Sequence, residues 1–392
     1  MNLNTIIRKV EQQAVEVISG QQRFPFISLA TLLHGGSLLY GTGAGIRQKL
    51  FAHGILSAVS IDRPVISIGN LTAGGTGKTP MTIHLSRLLR AMNFEVMIVS
   101  RGFKSLSEKT GAVVSDGRTI RCDAQSAGDE PYLMARLVER VPVMVGKSRV
   151  ETAIAGLRRF DPDVIVLDDA FQHQYLARDL NLLLLDAENP IGNGYLLPRG
   201  PLREPVSAIQ RADALVFTRS QGKTNERQRE LSRMIYPKPV FHCRHTPVLR
   251  SVVPAMHSLD ANEPFHCPDF SLDLMQARPV FAFSALARNE TFWSTVLGLG
   301  ASVLGTMGFP DHHRYSPEDI ETLVEAAHRA GCSTLVTTDK DFVRLPRLAL
   351  PMELIAIGVD IDFGDAHARW QQFIFERLTS AVGFVDRRKI RQ

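Results

Sequence analysis

Val65-Ile66-Ser67-Ile68 runs directly into Gly69-Asn70-Leu71-Thr72-Ala73-Gly74-Gly75-Thr76-Gly77-Lys78-Thr79-Pro80, and the rest of the chain can be organised around this stretch. The first four residues are apolar and mostly β-branched, as a buried strand requires. The glycine-rich loop ends in Gly-Lys-Thr, and 78–92 has helical periodicity. Strand, glycine loop, Gly-Lys-Thr and helix, in that order, make the P-loop arrangement. Its glycines let backbone N–H groups turn inward around phosphate oxygens, and the helix N-terminus adds partial positive charge. Thr72, Ala73, Gly74, Gly75, Thr76, Gly77, Lys78 and Thr79 are therefore read as a nucleotide phosphate cradle. Lys78 reaches the β- and γ-phosphates, and the Thr79 hydroxyl ligates Mg²⁺. The usual pattern places a glycine where this chain has Thr72; three glycines within 74–77 supply the tight backbone instead.

Outward from this loop, 95–99 (EVMIV), 141–145 (VPVMV), 163–167 (DVIVL), 180–185 (LNLLLL) and 213–217 (DALVF) read as further strands, with a helix at 130–140. Apolar strands alternating with helices indicate a parallel sheet covered on both faces. A second series, 279–284, 302–306, 333–338 and 354–359, predicts a smaller α/β domain. The expected fold is thus a P-loop NTPase-type domain over 61–236 and a second α/β domain over 279–380. A connector or insertion rich in Pro, His and Cys (237–278) lies between them, and a basic tail (381–392) follows. Residues 1–60 form a separate helical region. In 46–58, Ile46, Leu50, Phe51, Ile55 and Ala58 share one helical face, while Pro25, His34 and Gly35-Gly36 interrupt the apolar run 24–40. Such a region either packs on the sheet or faces a bilayer.

Composition narrows the class. With 44% hydrophobic and 22% charged residues in 392, the chain is not largely disordered. Four cysteines without a repeating spacing exclude a disulfide scaffold and fit a reducing compartment. No apolar run reaches the roughly 18–20 residues of a membrane span, and MNLNTIIRKVEQQ does not read as a secretory signal. The net charge of +5 is concentrated at the ends, +3 on residues 1–60 and +3 on 386–392. The near-neutral middle lacks the basic stripe of a nucleic-acid binder. The charged ends suit an anionic surface, or solubility alone.

The strand 163–167 ends in Asp168-Asp169, followed by Ala-Phe-Gln-His (Gln172, His173), the Walker B pattern in which a carboxylate holds the phosphate-bridging metal. Three clusters offer groups for a phosphoryl acceptor. Gly128-Asp129-Glu130-Pro131 reads locally as an aspartate N-cap with proline in the first turn, although a carboxylate there can also serve chemistry. Leu197-Pro198-Arg199-Gly200-Pro201-Leu202-Arg203-Glu204-Pro205 is a stiff loop bearing two arginines, either a phosphate contact or a solvated basic loop. Asp311-His312-His313-Arg314-Tyr315 precedes the capping box Ser316-Pro317-Glu318-Asp319. A His there is better suited to pairing with a carboxylate of the other domain than to metal binding. His242, Cys243, His245, His266 and Cys267 lack zinc-ligand spacing.

GNLTAGGTGKTP (69–80), SRGF (100–103), GDEP (128–131), LDDAFQH (167–173), LPRGPLREP (197–205), GFPDHH (308–313) and TTDKDF (337–342), in this order, resemble the tetraacyldisaccharide 4′-kinase family of the lipid A pathway. The resemblance implies ATP- and Mg²⁺-dependent phosphorylation of the 4′-hydroxyl of an acylated disaccharide 1-phosphate. It implies a peripheral position at the cytoplasmic face of the inner membrane and two α/β domains around a cleft. The family's base aligns with Asp129 and its supporting histidine with His312, against the local reading of Asp129 as a cap. In the expected mechanism Asp168, Asp169 and Glu204 join Thr79 near Mg²⁺, and Arg101 and Arg203 neutralise charge on the transferring group. Residues 245–278 and the tail look longer than in the family, and Ala170 stands where the family has Gly. The rival reading is a nucleotide-switch ATPase of the partition or targeting type; its signature lysine would fall where this chain has Ala73.

Overall fold

The computed structural model describes residues 29–257, 271–346 and 348–381; expectations for residues 1–28, His266, Cys267 and 382–392 lie outside the described residues. The first-series strands are β1 (Val65–Asn70), β2 (Val96–Ser100), β3 (Ala112–Asp116), β4 (Pro142–Val145), β5 (Val164–Leu167), β6 (Leu180–Asp186), β7 (Ala214–Thr218) and β8 (Val240–His242). They form one sheet in the order β3-β4-β2-β5-β1-β6-β7-β8, parallel except for the β3–β4 pair. Alternation along β1 and β2 explains why these strands are apolar throughout. Ile66, Ile68, Val96 and Ile98 enter a core with α2 (Lys78–Ala91) and α3 (Asp129–Leu137), whereas Val65, Met97 and Val99 pack on the other face with α4 (Arg149–Phe160). On that same face further along, Leu183, Leu185, Leu215 and Phe217 pack with Leu231 and Ile235 of α5 (Glu226–Ile235).

The second sheet contains β9 (Arg244–Val253), β10 (Pro279–Ser284), β11 (Ser302–Gly308), β12 (Thr334–Thr338) and β13 (Glu353–Asp362), ordered β11-β10-β12-β13-β9. Only β9 is antiparallel to its neighbour. Helices α6 (Asn289–Gly298) and α7 (Pro317–Arg329) cover opposite faces. The box at Ser316 forms as read, with Asp319 returning the hydrogen bond and Pro317 in the first turn.

Two features depart from the expected organisation. Residues 240–253 of the supposed connector are the strands β8 and β9, one in each sheet, with buried Cys243 at the crossing. Their polar, short-period sequence concealed them because β9 is an edge strand that presents only some residues to a core. The chain returns at the other end. After β13, helix α8 (His367–Thr379) packs Trp370, Ile374 and Leu378 into the first sheet's core, although its sequence lies within the expected second domain. Arg244 pairs with Asp362 at 2.8 Å, tying the two crossings together.

The N-terminal helix α1 (Leu29–Ala52) runs unbroken through Gly35-Gly36 and ends before Ile55 and Ala58. Interior glycines cost about 1 kcal/mol each relative to alanine, and two of them are explained by contact. A Cβ on Gly36 would lie 3.2 Å from Pro198, and one on Gly41 would lie 2.6 Å from Leu196. These residues let α1 approach the 196–203 loop closely. There Ser37 donates to the Leu196 carbonyl, and Tyr40 donates to the Arg203 carbonyl at 3.0 Å.

Trp370 is fully buried, stacked on Phe363 at 4.5 Å and edge-on to Phe241 at 5.1 Å. Trp370→Ala should destabilise the chain by about 3–5 kcal/mol, read as a lowered denaturant midpoint. ATP affinity should fall in the same range of denaturant, because this C-terminal helix completes the core beneath the phosphate loop.

Candidate active site

The parallel strands of the first sheet end together, and their loops build one edge. Ser67 lies opposite Leu167, so the loop after β1 and Asp168-Asp169 after β5 emerge side by side. Gly74 (φ +117°) and Gly77 (φ +83°) take left-handed backbone, which glycine adopts without Cβ strain. Asn70 Nδ2 donates to Thr76 Oγ1 at 2.9 Å, and Thr218 Oγ1 donates to the Thr76 carbonyl at 3.0 Å. Thr72 sits in an antiparallel bridge with Leu202, flanked by Ala73 N–H donating to Pro201 (2.6 Å) and Arg203 N–H donating to Leu71 (2.7 Å). That extended backbone needs no glycine, which accounts for the unusual first position of the motif.

Asp168 is buried and accepts from Thr82 Oγ1 and Ser100 Oγ, each at 3.1 Å. Burial, reinforced by the negative charges of Glu130 and Asp169, pushes its pKa up. Asp169, at φ +45°, accepts Arg203 Nη1 on both oxygens at 3.0 Å and lies 3.8 Å from Lys78 Nζ. One buried carboxylate, Asp168, next to a part-exposed one, Asp169, is an oxygen donor set that suits a hard divalent cation, so with the Thr79 hydroxyl these residues would hold Mg²⁺ that keeps water and phosphate as its remaining ligands. Glu204 is engaged elsewhere, by Arg211 and by Arg47 at 3.9 Å. Among the described residues no three His, Cys, Asp or Glu side chains converge on a cation site. Arg199 lies 3.7 Å over the Tyr195 ring, and Arg101 donates to Glu108 at 2.7 Å. Of the basic groups read from the sequence, only Lys78 and Arg203 thus meet the Walker B acids.

The C-terminal edge of the second sheet supplies the opposite wall. Asp129 is the first residue of α3, with Gly128 rather than the aspartate at the N-cap position, and its side chain crosses to the other domain. Its Oδ2 lies 3.3 Å from His312 Nδ1 and 2.7 Å from Arg344 Nε. Burial alone would raise the Asp129 pKa, but hydrogen bonding to His312 and the charge of Arg344 outweigh it and hold the carboxyl below its ordinary value. The two histidines separate: His312 has φ +62°, and His313 Nε2 meets Asp319 of the capping box at 2.9 Å. Glu130 meets Lys340 at 2.6 Å, which holds its pKa low.

Three residues to which sequence reasoning gave no role belong here. Lys340 and Arg344 follow β12; the signal for Arg344 was the spacing Thr338-x-x-Asp341-x-x-Arg344, a cap followed by an i,i+3 ion pair. Arg149 begins α4, is buried, and has its pKa lowered to about 10 by desolvation, opposed by Asp168 and Asp169. Its only sequence signal was its place after Gly146-Lys147-Ser148 at a strand end.

A P-loop domain whose phosphate edge faces a carboxylate–histidine pair shared with a second α/β domain defines the class of two-domain P-loop kinases. The family described as tetraacyldisaccharide-1-P 4′-kinase matches residues 29–379. The chain belongs to that family. A tetraacyldisaccharide 4′-kinase of Desulfatibacillum aliphaticivorans is 38% identical over 343 residues, covering 87% of this chain and 91% of the relative. One from Syntrophus aciditrophicus (strain SB) is 37% identical over 354 residues, again 87% and 91%. The crystal structure of LpxK from Aquifex aeolicus in complex with ATP matches with a TM-score of 0.71 and 32% identity, over 90% of this chain and 100% of that one.

A Cβ on Gly77 would meet His245 Nε2 at 2.6 Å in addition to the left-handed backbone strain. Gly77→Ala should therefore lower ATP affinity at least tenfold in calorimetry while the far-ultraviolet circular dichroism stays that of the folded chain.

Proposed function

We propose that Asp129 is the base with which this enzyme carries out its family's reaction. That reaction transfers the γ-phosphate of ATP to the 4′-hydroxyl of a tetraacyldisaccharide 1-phosphate, a lipid A precursor. The observation that carries the reading is the convergence of Asp129 and His312 from opposite domains beside the phosphate loop. Glu130, the next residue, is close enough to Lys78 for that charge to act on it.

ATP phosphates lie on 72–79, with Lys78 and Arg203 opposing the charge that develops on the transferring group. Thr79, Asp168 and Asp169 would hold Mg²⁺, which neutralises charge across the β- and γ-phosphates when bound. The acceptor hydroxyl gives its proton to Asp129 as its oxygen attacks the γ-phosphorus and ADP departs. A carboxylate held ionised is a weak base, which suits a loose transition state in which positioning matters more than proton abstraction. His312 orients the carboxylate. Arg101, held by Glu108, is given no part, and Glu204 supports the loop through Arg211 rather than a metal.

The same reading places the enzyme peripherally at the cytoplasmic face of the inner membrane. Among the described residues no helix is long and apolar enough to cross a membrane. Helix α1 nevertheless turns Leu32 (74% exposed), Leu38, Leu39 (78%) and Ile46 outward while its glycine face holds the 196–203 loop. An apolar helix docked on the loop that abuts the phosphate cradle supports entry of an acylated substrate from the bilayer surface.

Asp129→Ala should reduce turnover by about 10²–10⁴-fold with ATP affinity nearly unchanged; near-normal activity would sink the assignment. Labelled γ-phosphate should pass to a tetraacyl disaccharide 1-phosphate and far less to the deacylated sugar, and equal rates would remove the membrane-side role. Leu32→Asp/Leu39→Asp should abolish co-sedimentation with anionic vesicles while leaving ATP binding intact; undiminished sedimentation argues against α1 as the contact.

A further inference from the structure

Arg344 has the most unusual surroundings of the basic residues outside the phosphate loop. Its side chain is 2% exposed, and its guanidinium is shared among four partners. Nη1 donates to Asp341 Oδ1 at 3.2 Å and to the Ala285 carbonyl at 3.4 Å, both within the second domain. Asp341 is itself buried and fixed by Thr338 Oγ1 at 2.6 Å. On the opposite edge of the guanidinium, Nε reaches across the cleft to Asp129 Oδ2 at 2.7 Å, and Nη2 meets His312 Nδ1 of its own domain at 3.2 Å. A planar fork that normally grips both oxygens of one carboxylate here grips one oxygen and one imidazole nitrogen.

We infer that Arg344 is the positioning residue of the catalytic base, setting the Asp129 carboxylate and the His312 ring relative to each other and only when the two domains are closed; this rests on the reading of Asp129 as base. Three observations carry it. Oδ2 of Asp129 takes both cross-domain contacts, and Oδ1 accepts no hydrogen bond from the described residues, which leaves it to receive the hydroxyl proton. His312 Nδ1 lies between a permanent donor, Arg344 Nη2, and an acceptor, Asp129 Oδ2. One nitrogen cannot satisfy both at once, so Arg344 influences which tautomer of His312 faces the base. Finally, the anchors of Arg344 belong wholly to the second domain, so opening the cleft removes it from Asp129. The family's histidine supports the base from a loop, whereas Arg344 does so from a buried ion pair, which is the stiffer mount.

The titratable and charged groups around Asp129 are the His312 ring, Arg344 and the Glu130–Lys340 pair, with Asp341 behind Arg344. Removing the guanidinium leaves His312 as the remaining direct partner, so the Asp129 pKa should rise and activity that needs the ionised form should fail at higher pH than in the wild type.

The test uses the full chain with Mg·ATP and the tetraacyl disaccharide 1-phosphate. Arg344→Met should lower kcat roughly 10²-fold with KM for ATP little changed. The acid limb of its pH profile should move up by about 1 unit or more. In an Asp129→Asn background the same change should cost less than about twofold, because residues that act as one unit are not additive. Arg344→Lys keeps a charge opposite Asp341 but has one nitrogen in place of three. It guards against misfolding: it should melt and bind ATP as the wild type does, yet lose kcat. If Asp129→Asn is inactive while both Arg344 variants keep wild-type kcat and pH limb, the Arg344 assignment is overturned and the base stands. Additive losses in the double variant also overturn it, since they mark a structural role. If Asp129→Asn itself retains activity, the reading of the base fails.

Discussion

The ionised carboxylate of Asp129 is the point on which this molecule turns. Taking such a charge out of water costs several kcal/mol unless partners restore what hydration supplied. Here the acid stands at the start of a helix in one domain, and its partners, Arg344 and His312, stand on the other. Neither domain alone contains a satisfied site. The neighbouring Glu130–Lys340 pair follows the same plan, one charge from each side. Binding of the domains to each other and assembly of the reactive geometry are therefore one event.

The path of the chain makes this possible. It leaves the first sheet between β8 and β9 and returns after β13, so that the parallel strands of both sheets turn their C-termini toward a common cleft. Loops after parallel strands collect functional groups because backbone direction and helix dipoles point there. In this chain the first edge supplies the phosphate loop and Asp168-Asp169, and the second supplies Ala285, His312 and Arg344. The 196–205 loop links a third element, touching α1 with one side and the phosphate loop with the other while Arg203 holds Asp169. A shift in α1 is thus mechanically close to the nucleotide.

Much of this was legible in the residues. Buried parallel strands are apolar on both faces, so β1, β2, β5, β6 and β7 stood out as uninterrupted runs. The phosphate loop was visible because its requirements are local: glycines for left-handed backbone, a lysine and a threonine at fixed offsets. At the edge strands β3, β8 and β9, which pair on one side only, the signal faded, although the edge strand β11 was still read at 302–306. The glycines of α1 read as breaks because their purpose, close approach to Leu196 and Pro198, lies more than 150 residues away. Arg101, Arg199 and Glu204 were chemically plausible near phosphate or metal, yet each found a neighbour nearby in sequence, Glu108, Tyr195 and Arg211 respectively.

Asp129 marks the boundary most clearly. Its local sequence, an acid after glycine and two residues before proline, is what a helix start looks like, and a helix does start there. Sequence determines such things because propensity, capping and strand burial act over a few residues. The role of the side chain depends on Arg344, 215 positions later, and on His312 at a left-handed backbone turn in another sheet. No short-range rule connects these residues. Only the packing of the two domains against each other brings them within hydrogen-bonding distance, and that same packing makes a helix-opening aspartate a candidate base.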